Sequence, residues 1–232
     1  MSKVILVTGA NSGIGFELVR LLAEKKHTVY IGARNETAGK EAQAKLHADG
    51  LKTVKYVNLD VTKPGTIEAA KETIDQAEGK LDVLVNNAGI SKFGEDQNAT
   101  SLSLAPVREA METNFFGLVQ TTIALLPLLR KSTNAVVLNV STDMASNTYQ
   151  ARPNAGLQFV AYNASKAAAN SYTIALAQEL RKEGIKVNAV TPGFTTSKLN
   201  NYLEGGKTMR ASAEVLLPWA LLDSEKGDGP TC

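Results

Sequence analysis

Val4-Ile5-Leu6-Val7-Thr8-Gly9-Ala10-Asn11-Ser12-Gly13-Ile14-Gly15 is an apolar run that meets a glycine-rich turn and then a helical pattern. Val4 to Val7 is apolar at every position, as a strand covered on both faces must be. Beyond the turn, Ile14, Leu18, Leu21 and Leu22 recur at helical spacing and share one face. A turn this tight needs residues without a Cβ, both to reach positive φ and to let backbone N–H groups approach a ligand. The free N–H groups and the positive end of the helix then make a seat for a phosphate. A glycine triplet alone says little, but between this strand and this helix it reads as a dinucleotide-binding turn. The residues assigned to it are Gly9, Asn11, Ser12, Gly13, Ile14 and Gly15.

The same alternation continues downstream. Thr28 to Ile31, Val54 to Val57, Val83 to Val85, Val136 to Val140 and Ile185 to Val190 are the other strand candidates, six with the first. Helical patterns lie between them, as at Ile67, Ala70 and Ile74. Strands alternating with helices predict a parallel sheet with helices on both faces, and right-handed crossovers make it a doubly wound, Rossmann-type α/β fold. Pro106 is expected near a helix start and Pro127 at a kink or break near a helix end. Ser146 to Gly156, with Asn147, Pro153 and Asn154, reads as a surface loop.

Composition narrows the function classes. The 232 residues fit one domain, 1–232, better than two of the usual ~150 residues. Lys and Arg number 25 against 23 Asp and Glu, and the chain is 44% hydrophobic, which excludes a disordered polymer and argues against a nucleic-acid binder. The longest apolar stretches, such as Ile123 to Leu129, fall short of the ~18 residues of a membrane span. Cys232 is the only cysteine, so no internal disulfide or cysteine-based metal site forms, no metal is expected, and a cytoplasmic location fits.

The second strand decides between dinucleotides. In NAD sites an acid at its end holds the ribose 2′-OH and repels a 2′-phosphate. Here the strand runs Val29-Tyr30-Ile31-Gly32-Ala33-Arg34, with no acid. Arg34 is placed to pair with a phosphate, so NADPH/NADP+ is favoured over NADH.

Three further motifs complete a pattern: Asn86-Asn87-Ala88-Gly89, Tyr162-Asn163-Ala164-Ser165-Lys166, and Pro192-Gly193. With the glycine turn they resemble the short-chain dehydrogenase/reductase family over essentially the whole chain. Gly32-Ala33-Arg34, Leu59-Asp60-Val61-Thr62 and Thr113-Asn114-Phe115-Phe116-Gly117 look most like its carbonyl-reductase branch, which uses NADPH. The resemblance implies that Asp60 and the Val61 backbone meet the adenine, and that Asn87, Ala88 and Gly89 line the adenosine ribose. It places Pro192 and Gly193 beside the nicotinamide carboxamide, with Thr195 and Ser197 as hydrogen-bond partners, and gives Asn114 a water in the proton relay.

Tyr162 and Lys166 are four apart and so stack on one helix face. A nearby cation stabilises a phenolate, and the phenol gives its proton to a carbonyl oxygen in reduction and takes it back in oxidation. The resemblance also brings Lys166 to the nicotinamide ribose. The family usually carries a Ser-Ser pair at the end of the fifth strand, where this chain has Asn139-Val140-Ser141-Thr142-Asp143. Direct alignment puts Thr142 in the catalytic place, and a one-residue shift puts Ser141 there. Neighbours on a strand face opposite ways, so only one of the two points at the substrate.

Two departures stand out. Tyr162 follows Thr142 by 20 residues, longer than usual, so the Ser146 to Gly156 loop reads as an insertion and a specificity element. The chain also ends at Gly229-Pro230-Thr231-Cys232, where relatives continue into a seventh strand, leaving the sixth as an open edge. Residues 195–215 correspond to the family's substrate lid, with Phe194, Leu199, Tyr202 and Leu203 beside a glycine hinge at Gly205 and Gly206. Phe93 and Tyr149 are candidate aromatic walls, and the inferred substrate is a small hydrophobic aldehyde or ketone. Ala164, Ala167, Ala168 and Ala175 would allow the close helix packing of a homodimer. A non-catalytic NADP(H)-sensing interaction protein and an NAD-dependent alcohol dehydrogenase are the competing readings.

Overall fold

β1 (Val4–Thr8) forms the middle of a six-stranded, all-parallel sheet. The computed structural model describes residues 2–155 and 159–222. β2 (Thr28–Ala33) and β3 (Val54–Asn58) lie on one side of β1, in register Val4 to Thr28 and Val29 to Val54. β4 (Val83–Asn86), β5 (Val136–Val140) and β6 (Lys186–Val190) lie on the other, giving the order β3-β2-β1-β4-β5-β6. The chain therefore reverses direction across the sheet between β1 and β4, and ligands of such sheets bind at that crevice, beyond the carboxyl ends of the strands.

The pleat divides the core into two layers. Ile5 and Val7 face α1 (Gly13–Glu24), α2 (Glu36–Ala48) and α8 (Met209–Ala220), with Leu18, Leu22, Leu46 and Leu216 buried among them. Val4 and Leu6 point the other way, into a layer with Ile74, Leu125 and Leu176 from α3 (Pro64–Glu78), α5 (Gly117–Leu129) and α7 (Val160–Leu180). α4 (Leu104–Met111) runs into α5 through a π-helical turn, Glu112–Phe116. Among the described residues no helix is long and apolar enough to cross a membrane.

The elements differ from the sequence reading mainly at their ends. Thr8, Gly32, Ala33, Asn58 and Asn86 extend their strands beyond the apolar runs, because the carboxyl edge of the sheet carries small and polar residues. β6 begins at Lys186, one residue after the buried Ile185. Pro106 is the third residue of α4, and α5 runs through Pro127 to end at Leu129. The Ser146 to Gly156 segment is not all loop: Asn147–Gln150 forms a short helix, α6, capped by Ser146, whose Oγ accepts the Tyr149 N–H at 3.2 Å. Gly156 itself, the four C-terminal residues ending in Cys232 and any seventh strand lie outside the described residues.

Candidate active site

The turn after β1 is closed from below by Thr8. Its buried hydroxyl accepts the N–H groups of Asn87 and Ala88, each at 3.0 Å, and donates to the Val85 carbonyl at 3.3 Å. Asn87 answers with its own amide, which donates to the carbonyls of Thr8 at 2.8 Å and Gly9 at 3.3 Å. These bonds hold the turns after β1 and β4 so close that only glycine fits between them. A Cβ on Gly9, at φ +63°, would lie 2.8 Å from Ala88 Cα, and one on Gly15 would lie 2.4 Å from Asn87 Nδ2. Gly13, at φ +67°, has nothing within 4 Å and faces open space.

That space is a cleft of about 870 Å³. Gly9, Asn11, Ser12, Gly13, Ile14 and Gly15 form its floor, Arg34, Asp60 and Val61 one end, and Asn87, Ala88 and Gly89 the wall towards β4. Arg34 is exposed and has no ion-pair partner among the described residues, so its guanidinium is free to take an anion. Asp60 is bound locally, accepting from the N–H and the hydroxyl of Thr62 at 3.0 and 2.8 Å. The Val61 carbonyl accepts from Gln120 Nε2. Ser197, Lys198, Leu199 and Asn201 hang over the mouth. A cleft of this size with a cradle only glycine can form, a helix N-terminus and a free guanidinium at one end suits a phosphorylated dinucleotide.

Neither Tyr162 nor Lys166 lines the cleft; Tyr162 packs against Phe93, which does. Tyr162 is 6% exposed, and burial pushes its phenol up to about 12 while a hydrogen bond with Thr142 works in the opposite direction. Lys166 is 5% exposed, and burial pulls its ammonium down to about 8. Lys166 Nζ donates to the Val140 carbonyl at 2.8 Å, and no hydrogen bond joins it to the phenol among the described residues. In this arrangement burial is the largest influence on each group, raising the phenol and lowering the ammonium.

The two hydroxyl candidates follow β5 directly and point different ways. Ser141 Oγ donates to Asn170 Oδ1 on α7 at 2.7 Å, whereas the Thr142 hydroxyl accepts the Met144 N–H at 3.3 Å and faces the Tyr162 phenol, whose pKa it lowers. Asn114 sits in the π-helical turn between α4 and α5, where the extra residue per turn re-aims its side chain inward. Its Oδ1 accepts the Ile90 N–H, and its Nδ2 donates to the Ile90 carbonyl, all at 2.8 Å, and to Ser165 Oγ at 2.9 Å. Beneath it, Asn86 Nδ2 bridges to Thr122 and Asn139, a buried chain that apolar patterning does not signal.

Some sequence candidates fall elsewhere. Pro192, Gly193 and Thr195 do not line the cleft. Thr195 is buried, its hydroxyl bonded to Ser212 Oγ of α8 at 2.7 Å and to the Gly193 carbonyl at 3.0 Å. The 195–215 segment is two structures: a strap closed by pairing of Thr195 with Lys207, then α8 docked on α1. Gly206 is no free hinge, since a Cβ there would lie 2.4 Å from the Thr196 nitrogen where the two arms meet. Phe93 does form an aromatic wall, edge-on to Tyr162 at 5.3 Å and 4.4 Å from Phe159. Tyr149 is exposed and carries Arg152 over its ring instead. The sequence reading passed over Thr8, Ser91 and Gln97, whose roles come from contacts across the sheet. Only Thr8 carried a local signal, its place in the glycine turn.

Comparison with known proteins finds relatives along most of the chain. The family model described as short chain dehydrogenase matches residues 3–207. A short-chain dehydrogenase/reductase of Aspergillus fumigatus is 31% identical, over 97% of this chain and 90% of that protein. A 3-ketodihydrosphingosine reductase of Bacteroides thetaiotaomicron is 35% identical over 86% of this chain and 66% of that one. The solved structure of salutaridine reductase from Papaver somniferum superposes with a TM-score of 0.85 at 28% identity, covering 99% of this chain and 98% of that one.

Proposed function

The chain belongs to the short-chain dehydrogenase/reductase family of nicotinamide-dependent oxidoreductases, and on that premise we propose that it reduces the carbonyl of a small hydrophobic aldehyde or ketone with NADPH. One observation carries the reading: a buried Tyr162 beside Thr142, one helical turn from a buried Lys166, packed on Phe93 of a cleft whose lining includes the exposed Arg34. Two relatives are reductases by name, which supports reduction as the direction.

The glycine turn and the N-terminus of α1 hold the pyrophosphate, Arg34 the 2′-phosphate, and Asp60 and Val61 the adenine. Ser197, in the lining of the cleft, serves the carboxamide end. The nicotinamide, when bound, supplies hydride to the carbonyl carbon. Tyr162 Oη donates its proton to the carbonyl oxygen, completing the alcohol. The Thr142 hydroxyl bonds that oxygen and fixes the phenol, a role the placement of Ser141 against Asn170 leaves to Thr142. Lys166 then stabilises the phenolate left at Oη, and Asn114, anchored on Ile90, holds the proton path open behind it. The 195–207 strap acts as the substrate lid, with Phe93 as the apolar wall. The chain works as a cytoplasmic homodimer in this reading.

The test follows cofactor absorbance across a panel of aromatic and aliphatic aldehydes, ketones and diketones, with NADPH and NADH in parallel. Turnover with NADPH is expected, and Arg34→Ala should erase the preference for it by about 10- to 100-fold, the scale of one charge-assisted hydrogen bond. Tight NADPH binding without turnover on any carbonyl would replace this reading with nucleotide sensing. An unchanged preference in Arg34→Ala would sink the cofactor assignment.

A further inference from the structure

Gln97 takes no part in the chemistry above, yet its side chain is 3% exposed and fully bonded. Nε2 donates to the carbonyls of Ser91 at 2.9 Å and Lys92 at 2.7 Å. Oε1 accepts the Tyr162 N–H at 3.2 Å, and the Gln97 backbone carbonyl accepts the Val160 N–H, also at 3.2 Å. Two carbonyls on one side and one N–H on the other leave a single orientation for the amide.

These bonds fill a gap in α7. The first N–H groups of a helix have no acceptor within it, and a Ser, Thr, Asp or Asn at the N-cap usually supplies one. The N-cap here is Phe159, which has no acceptor to offer, and the first intrahelical bond runs from the Asn163 N–H to the Phe159 carbonyl. Tyr162 is thus the last residue of α7 whose N–H depends on an outside partner, and that partner comes from the segment after β4. The same segment touches the site twice more. Ser91 Oγ donates to the Leu199 carbonyl in the strap, and Phe93 sets its ring against Tyr162.

We propose that Gln97 is a positioning residue for the phenol: by capping the first turn of α7 from the segment that carries Ser91 and Phe93, it fixes where Tyr162 stands relative to the lid and the aromatic wall. No other residue type offers two donors and an acceptor at that reach. Glu lacks the donors, Asn is one methylene short, and Met fills the volume without bonding. The proposal rests on Tyr162 being the general acid.

Two measurements test it. In the wild-type protein the Tyr162 amide should exchange with solvent as slowly as the amides deeper in α7, although it has no helical acceptor; Gln97→Met should release it while Lys166 and later amides stay protected. In the same variant kcat for an accepted carbonyl should fall by about 10- to 100-fold, the scale of a displaced catalytic group, with the NADPH dissociation constant unchanged. Loss of thermal stability with wild-type kcat at low temperature would mean a merely structural cap and overturns the proposal. So does fast exchange of Tyr162 in the wild-type protein, a result that stands even if Gln97→Met fails to fold. Absence of turnover in the wild type would count against the reductase reading alone, and the exchange data would still decide whether Gln97 caps the tyrosine.

Discussion

Burial sets the protonation of both central groups. A phenol held near 12 stays protonated throughout the neutral range, which suits an acid and handicaps a base. Carbonyl reduction is therefore expected to be flat with pH around neutrality, while oxidation of the corresponding alcohol rises steadily into the alkaline range. Tyr162→Phe should lower turnover by about 10²- to 10⁴-fold with cofactor affinity intact, and a variant that keeps full rate would remove Tyr162 from the mechanism. Lys166 makes a separate prediction about stability. Its folded-state value of about 8 lies below the ordinary 10.5, so between those values the unfolded chain binds more protons and stability rises with pH. The window is clean only up to about pH 10. Above it Tyr30, Tyr162 and Tyr172, all held near 12, keep protons that the unfolded chain loses, and stability falls. Denaturant unfolding at several pH values should show the rise from pH 8 in the wild type and lose it in Lys166→Met.

The glycine turn acts as one element with β1, α1 and the turn after β4. Thr8 and Asn87 stitch it, and Gly9 and Gly15 permit the approach. Gly15→Ala would drive a methyl group into Asn87 Nδ2, whose bonds to Thr8 and Gly9 must then give way. Isothermal titration should show NADPH affinity reduced by about tenfold or more, the equivalent of one lost hydrogen bond, in a protein that still folds. Unchanged affinity would mean that the two turns adjust freely. The π-helical turn is a second such element. It carries Asn114 inward, and Gly117 just after it packs where a Cβ would meet Val61 Cγ2 at 2.8 Å. One irregular turn thus places a side chain near the tyrosine and a backbone against Val61 in the wall of the cleft.

Over the whole molecule, α8 binds the end of the strap to α1, so the strap and the glycine turn are tied into one helical layer. The opposite layer leaves apolar residues outside: Leu104, Phe116 and Ile123 along α4 to α5, and Ile174 on α7, which also exposes Ala164 and Ala175. Such a face is expected to be buried between two copies. Light scattering should give twice the 24.7 kDa of the chain, and Ile123→Glu with Ile174→Glu should give the single-chain mass. A wild-type protein of single-chain mass at micromolar concentration would refute the homodimer.

The sequence by itself determined the alternation of strands and helices, the direction of the sheet and the chemical types at the site. Apolar runs, helical spacing and a glycine turn are local signals, and local physics reads them. Its strand ends came out short where the carboxyl edge of the sheet is polar, as at Asn58 and Asn86. Tertiary structure alone turns Ser141 to Asn170 on α7 and leaves Thr142 beside the phenol, since the two neighbours point different ways past the end of β5. It also decided that Thr195 turns to Ser212, that Gly206 packs instead of hinging, and that Gln97 caps a helix 65 residues away. Each of these depends on contacts between segments far apart in the chain, and no local spacing encodes them.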